Sequence, residues 1–309
     1  MIERLKSYFK SLDINFKDNM VIKNGAPHTA PVAHLTSCCP GDFSAKYYFA
    51  GRYFDEIDDS LAQGIISELK KFQDTDKASD TYGCLKWYRE ESIVIDTNAA
   101  FFILLPVSLT LLFCSHKMSD YEKDTIKEML KHAGIWFTKQ CSGALFYSNK
   151  IMSDGAMLSL ISCLTGKYTK ECESFWYRWL DYAERRGWGW GENTSDDYSQ
   201  VMLDALNVVV LTINNDEIKK MITDKRQELL DYIAFHGGKE FVPSIRCYNF
   251  KGDVNYVGLI YRILHNPDIT LHLLPAAILL YNAGIKKIKF NIDGKNESKC
   301  ERMFDDCYA

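Results

Sequence analysis

A chain of 309 residues that is 47% hydrophobic and 25% charged has the balance of a folded globular protein, with enough apolar material for a sizeable core. A formal net charge of −4 and a pI near 6.0, with no Lys/Arg-rich run, argue against nucleic acid as a partner. The ten cysteines are scattered without CxxC spacing, and adjacent Cys38 and Cys39 are poorly placed to chelate one ion jointly, so no metal site is expected.

In chain order, "MIERLKSYFKSLDINFKDN" carries charges at every third or fourth position. It predicts an N-terminal helix rather than a signal peptide, and with it a cytoplasmic protein with reduced thiols. "NGAPHTAPVAHLTSCCPGDFSAKYYFAGRYFDEIDD", with its prolines, His28, His34 and several aromatics, predicts an irregular arm lying over the body of the domain. Its end, Phe54 to Asp59, resembles the aspartate-rich magnesium motif of class I terpene synthases, but no second metal motif follows, and it reads as an acidic turn leading a helix. That helix is "SLAQGIISELKKFQD" from Ser60.

From Asp96 onward one plan repeats: a polar turn holding Asp, an almost wholly apolar helix, a second turn, and a charged amphipathic helix. The apolar members begin near Asp96, Ser153, Asp196 and, more weakly, Gly252; the charged partners begin at Ser119, Thr169 and Asn215. Asp96, Asp154, Asp197 and Asp253 recur at intervals long enough for one helical hairpin each. A last apolar helix, "LHLLPAAILLYNAG", starts at Leu271. The run from Ala99 to Phe113 is too short for a comfortable membrane span and contains Pro106, so it reads as a buried helix.

Buried helices alternating with half-buried ones predict an all-α fold, an α/α toroid in which inner and outer rings are concentric; an open helical array fits the same pattern less economically. The expected boundaries are an N-terminal helix and arm over 1–59, the toroid over 60–285, and a β-like tail over 286–309. Parallel inner helices would bring their polar starts to one rim, where the positive helix ends favour an anionic ligand.

Three clusters on that rim are the candidates for chemistry. "WYREESIVIDTNAAFF" supplies Arg89, Asp96 and Asn98. "GWGWGENTSDDYSQ" supplies Trp188 and Trp190, suited to stacking on sugar rings, followed by Glu192, Asn193, Asp197 and Tyr198. "VPSIRCYNFKGD" supplies Arg246, which could grip a carboxylate or equally pair with a rim acid, and Tyr248, which could move a proton. Asp96 and Glu192, from different hairpins, could divide acid and base roles. His272 and His28 are the histidines best placed for proton transfer, and His272, opening the last apolar helix, is also a candidate substrate-binding residue. Gly-rich phosphate loops, GxSxG and HExxH are absent, so no cofactor is expected.

Between Tyr82 and Gly284 these clusters resemble the toroid domain of heparinase-like polysaccharide lyases and related six-hairpin glycosidases. The resemblance implies cleavage of an acidic oligo- or polysaccharide by β-elimination or hydrolysis. Asn193 and Arg246 would neutralise a uronate carboxylate, and Tyr198 or Tyr248 would act as base and acid. The chain departs from the usual lyases in lacking their Asn-His pair and the following β-sandwich domain. "WGEN…DDYSQ" also resembles elements of squalene-cyclase and prenyltransferase toroids, which implies a terpenoid cyclase using an acid in an aromatic cavity, although DxDD is absent. A non-catalytic toroidal scaffold is the third reading.

Overall fold

A computed structural model describes residues 1–145, 148–186, 196–235, 263 and 270–285; the side chains of Ser148, Arg186, Asp196, Asp197 and Phe235 fall outside that description. The described chain is mostly helical: α1 (Ile2–Lys10), α2 (Gly41–Phe54), α3 (Asp59–Lys70), α4 (Ala99–Cys114), α5 (Asp120–Cys141), α6 (Ser148–Thr165), α7 (Thr169–Arg186), α8 (Asp196–Thr212), α9 (Asp216–Phe235) and α10 (Leu274–Asn282). Two short antiparallel pairs precede α2, namely β1 (Phe16–Lys17) with β2 (Met20–Val21), and β3 (Lys23–Asn24) with β4 (Ser37–Cys38). Asp18 and Asn19 form the β1–β2 turn at φ 49° and 62°, a left-handed conformation that short polar side chains tolerate.

The helices sort by burial into two series. Almost every residue of α4 is buried, as are most of the described residues of α6 and α8, because their sequences are apolar on every side. These helices touch in succession: α2 with α4, α4 with α6, α6 with α8, α8 with α10, and α10 again with α2. The amphipathic helices follow the same order, α3 with α5, α5 with α7, α7 with α9, each also packed on an apolar partner. In α7 the buried face is Phe175, Trp176, Trp179, Leu180 and Ala183, at the spacing of one helix stripe. Gly155 lets α7 approach closely: a Cβ there would lie 2.0 Å from the Phe175 ring. The Trp176 indole donates to Ser159 Oγ at 2.7 Å.

By length and composition alone, one described stretch, Ala99–Lys117, could cross a membrane, but it is packed among α2, α5 and α6 with 72% of its most apolar window buried.

Two expectations are corrected. Residues 41–54 are not part of an irregular arm: they form α2, whose interior face is buried. The aromatic and small residues of "FSAKYYFAGRYF" supply a helical stripe, which the neighbouring prolines and histidines obscure. Asp154 does not open the second apolar helix, because α6 begins at Ser148 and Asp154 sits inside it. The apolar segment from Gly252, apart from Ile263, and the tail over 286–309 lie outside the described residues.

One buried ion pair ties the two series together. Glu122 completes a capping box with Ser119 at the start of α5, and its carboxylate also accepts from Arg52 Nε and Nη2 at 3.0 and 2.7 Å and from the Tyr48 hydroxyl at 2.8 Å. Glu122 has no exposed surface, and Arg52 is 4% exposed. Arg52 Nη2 also pairs with the exposed Asp59 carboxylate at 2.8 Å. Glu122→Ala is therefore expected to cost about 3 kcal/mol in urea denaturation, because it leaves the buried guanidinium with Asp59 as its one ion-pair partner among the described residues and the Tyr48 hydroxyl without its acceptor. Lys70→Ala removes the exposed pair with Glu128 and should change stability by less than about 0.5 kcal/mol.

Candidate functional site

The starts of the apolar helices converge on one cleft of about 790 Å³. Asp42 and Phe43 come from α2, Asn98 and Phe102 from the start of α4, Lys150 and Ser153 from α6, Tyr198 and Gln200 from α8, and Thr270 and His272 from the segment before α10. The mouth is completed by Lys23 on β3, by His28, and by the loop bearing Trp87, Tyr88 and Asp96.

That loop is held by its own acid. Glu91 is buried, and its Oε2 accepts the backbone N–H groups of Trp87 and Tyr88 at 2.8 and 3.0 Å, while Lys86 Nζ donates to the Glu91 carbonyl at 2.6 Å. A bridge between Pro40 and Tyr88 fastens the loop to the residue preceding α2. Trp87 thereby stacks on Phe102, with ring centroids 5.4 Å apart.

Tyr88, His28 and Asp96 form a chain of polar contacts. His28 Nδ1 lies 2.7 Å from the Tyr88 hydroxyl, and His28 Nε2 lies 3.7 Å from Asp96 Oδ2. Partial burial alone would raise the Asp96 carboxyl. The His28 ring and the Asn98 N–H at 2.9 Å outweigh it and hold the carboxyl below its ordinary range, with a smaller contribution from the Trp87 indole, which completes no hydrogen bond of its own. An ionised Asp96 favours the proton on His28 Nε2, so Nδ1 accepts the Tyr88 O–H. The same hydroxyl accepts the His28 backbone N–H at 3.3 Å.

A second set of charges, behind the lining residues Asp42 and His272, centres on Lys46, whose side chain is 6% exposed. Its ammonium donates to Asp42 Oδ2 and to His272 Nδ1, both at 2.7 Å. Burial would raise the Asp42 carboxyl, but Lys46, His272 and the Phe43 N–H together keep it low. His272 is pushed down to about 3, first by Lys46 and then by burial, with Asp42 opposing. Deeper still, Asp204 is raised well above the usual carboxylate range by burial, against Lys46 and the amide of Gln200, which donates to it.

On α6, Lys150 Nζ reaches both oxygens of Asp154 at 2.5 Å. Asp154 is 4% exposed, and burial raises its carboxyl to about 6 although Lys150 opposes the shift. Lys150 faces the cleft, and Asp154 braces it from behind.

The candidates read from the sequence divide accordingly. Asp96, Asn98, Tyr198 and His272 are brought together in the cleft. Arg89 is not among the lining residues; it pairs with Asp18 at 3.0 Å, and its backbone N–H binds the Cys39 carbonyl. Asp197 lies in the first turn of α8 with its side chain outside the description, and Trp188, Trp190, Glu192, Asn193, Arg246 and Tyr248 lie outside the described residues. Lys23, Lys46, Tyr88 and Lys150 are absent from the sequence-derived set. The pairs Asp42/Lys46 and Lys150/Asp154 were detectable as opposite charges four residues apart within otherwise buried helices. Tyr88 had no such signal, because its partner His28 is far away in sequence. Among the described residues no cluster of His, Cys, Asp and Glu could hold a metal ion. No protein-family model, curated protein or solved structure matches the chain.

Asp154 has a pH signature. Its folded-state pKa of about 6 lies above the ordinary 3.8, so the stability it contributes is complete below about pH 3.8 and is lost as pH rises through about 6. Wild type should therefore gain on the order of 2 kcal/mol relative to Asp154→Asn as pH falls across that window. Parallel stability curves for the two proteins would contradict the assignment.

Proposed function

We propose that the chain is a carbohydrate-active enzyme built on an α/α toroid, and that it cleaves an acidic oligo- or polysaccharide by β-elimination in this cleft. Support for the toroid is the order of helix contacts, in which the apolar series returns from α10 to α2 while the amphipathic series packs outside it. The observation that carries the reaction is the Tyr88–His28–Asp96 chain at the mouth of a cleft that also holds Lys23 and Lys150.

Elimination from a uronate needs a base for the proton α to the carboxylate, a cation near that carboxylate, and a proton for the leaving oxygen. Tyr88 is suited to the first task. As its oxygen takes the carbon-bound proton, its own proton passes to His28 Nδ1, and Asp96 stabilises the resulting imidazolium through Nε2. The C–H electron pair forms the new double bond, the glycosidic C–O bond breaks, and Tyr198 donates a proton to the departing oxygen. Lys150 and Lys23 attract the carboxylate, and Trp87 and Phe102 offer flat faces to the sugar. The same lysines weigh against a terpenoid cyclase, since ammonium groups beside the reacting carbons destabilise a carbocation.

Tyr88→Phe and His28→Gln are each expected to lower the rate of uronate-polymer cleavage by at least about 100-fold, read as the ultraviolet absorbance of the unsaturated product. Both should melt within a few degrees of wild type. Saturated reducing ends as the only products would replace elimination with hydrolysis, and full activity in both variants would remove Tyr88 and His28 from the reaction.

A further inference from the structure

We infer that Lys46 fixes His272 as a neutral imidazole with its proton on Nε2, and that this N–H and the Lys23 ammonium form a subsite for an anionic oxygen of the ligand. The subsite rests on the saccharide reading for the nature of that ligand; the tautomer does not.

An ammonium has donors only, so at 2.7 Å from Lys46 Nζ the Nδ1 atom of His272 must accept, which leaves the ring proton on Nε2. Lys46 has little freedom to leave. It is buried, it is bound to Asp42 at 2.7 Å, and its ammonium lies 5.6 and 5.9 Å from the ring centroids of Phe43 and Phe102. Protonating His272 would set two cations against each other, and the Asp42 carboxylate is already committed to Lys46. The charged groups around the ring are Asp42 and Lys46 on α2 and Lys23 on β3, and Asp204 on α8 interacts electrostatically with Lys46.

The other face of the ring is open. The Nδ1 side of His272 is enclosed by Lys46 and Asp42, but the ring keeps accessible surface toward the cleft, and among the described residues Nε2 has no hydrogen-bond partner. Phe43 connects it to a cation: its ring centroid is 6.1 Å from that of His272, and Lys23 Nζ lies 4.8 Å from the same centroid. A neutral donor and a lysine that line the same cleft and both neighbour the Phe43 ring can bind an anionic ligand without His272 changing its proton across the neutral range. His272 thus acts as a binding group.

The test uses the full ¹⁵N-labelled chain and two-bond ¹H–¹⁵N correlations of the imidazoles. His272 should show protonated Nε2 and bare Nδ1 from about pH 5 to pH 8, a range in which an ordinary histidine titrates near about 6.5. D-glucuronate should shift its Nε2 resonance, and Lys46→Met should restore an ordinary titration. His272→Phe is expected to weaken D-glucuronate binding at least tenfold, whereas His272→Gln, which keeps a donor, should stay within about threefold of wild type. A wild-type His272 that titrates normally, or that carries its proton on Nδ1, overturns the inference whether or not Lys46→Met folds. So does D-glucuronate binding that is indifferent to His272→Phe. Inorganic phosphate shifting Nε2 where D-glucuronate does not would uphold the subsite and remove the uronate as its ligand. The expected signature in a protein that cleaves no uronate polymer would overturn the reaction and keep the subsite.

Discussion

Helix α2 carries Asp42, Lys46 and Arg52 into the interior, and the need to pair those charges organises everything around it. An ionised group out of water is tolerated only with a partner of opposite charge and good geometry. At one end of α2 Arg52 meets Glu122, which is at the same time the capping residue of α5. At the other end Lys46 joins Asp42 to His272 just before α10. The earliest apolar helix is thereby bound to a helix in the middle of the chain and to the segment before one near its end.

The cleft inherits its electrostatics from this arrangement. Lys46 is held by Asp42 and His272 and is not among the lining residues, so the lysines that line the cleft are Lys23 and Lys150, the latter also paired with Asp154. The carboxyls illustrate how strongly surroundings outweigh residue type. Asp96 keeps partial access to water, a histidine neighbour and a backbone N–H, and is held low. Asp154 is buried, and a single lysine does not offset the cost of that burial. One aspartate is suited to steadying an imidazolium, the other to bracing a lysine.

Rigidity where the chemistry is proposed comes from short-range bonds as well as from packing. Glu91 grips the N–H groups of Trp87 and Tyr88, and the Pro40 bridge ties the same loop to the start of α2. Tyr88 therefore meets His28 on a support anchored to the core, which is what a proton-transfer pair requires, since small displacements cost rate steeply.

The periodicity of apolar residues was enough to locate α3 to α9 and to separate buried helices from amphipathic ones, because burial on all sides or on one side leaves a direct trace in residue order. It also anticipated that Asp96, Asn98 and Tyr198 share one end of the domain, since each precedes or opens an apolar helix. It missed α2, whose charged residues disguise a buried helix: their partners Glu122 and His272 are remote in sequence, and only folding brings them within 3 Å. It placed Asp154 at a helix start because an aspartate after a serine reads as a cap, whereas the helix begins earlier and encloses it. Residue order determined which segments become helices and which of their faces are apolar, both local consequences of side-chain chemistry. The pairing of His28 with Tyr88 and of Lys46 with His272, and the direction of each carboxyl's proton affinity, were decided by the tertiary structure, because these properties depend on distance and burial between residues far apart in the chain.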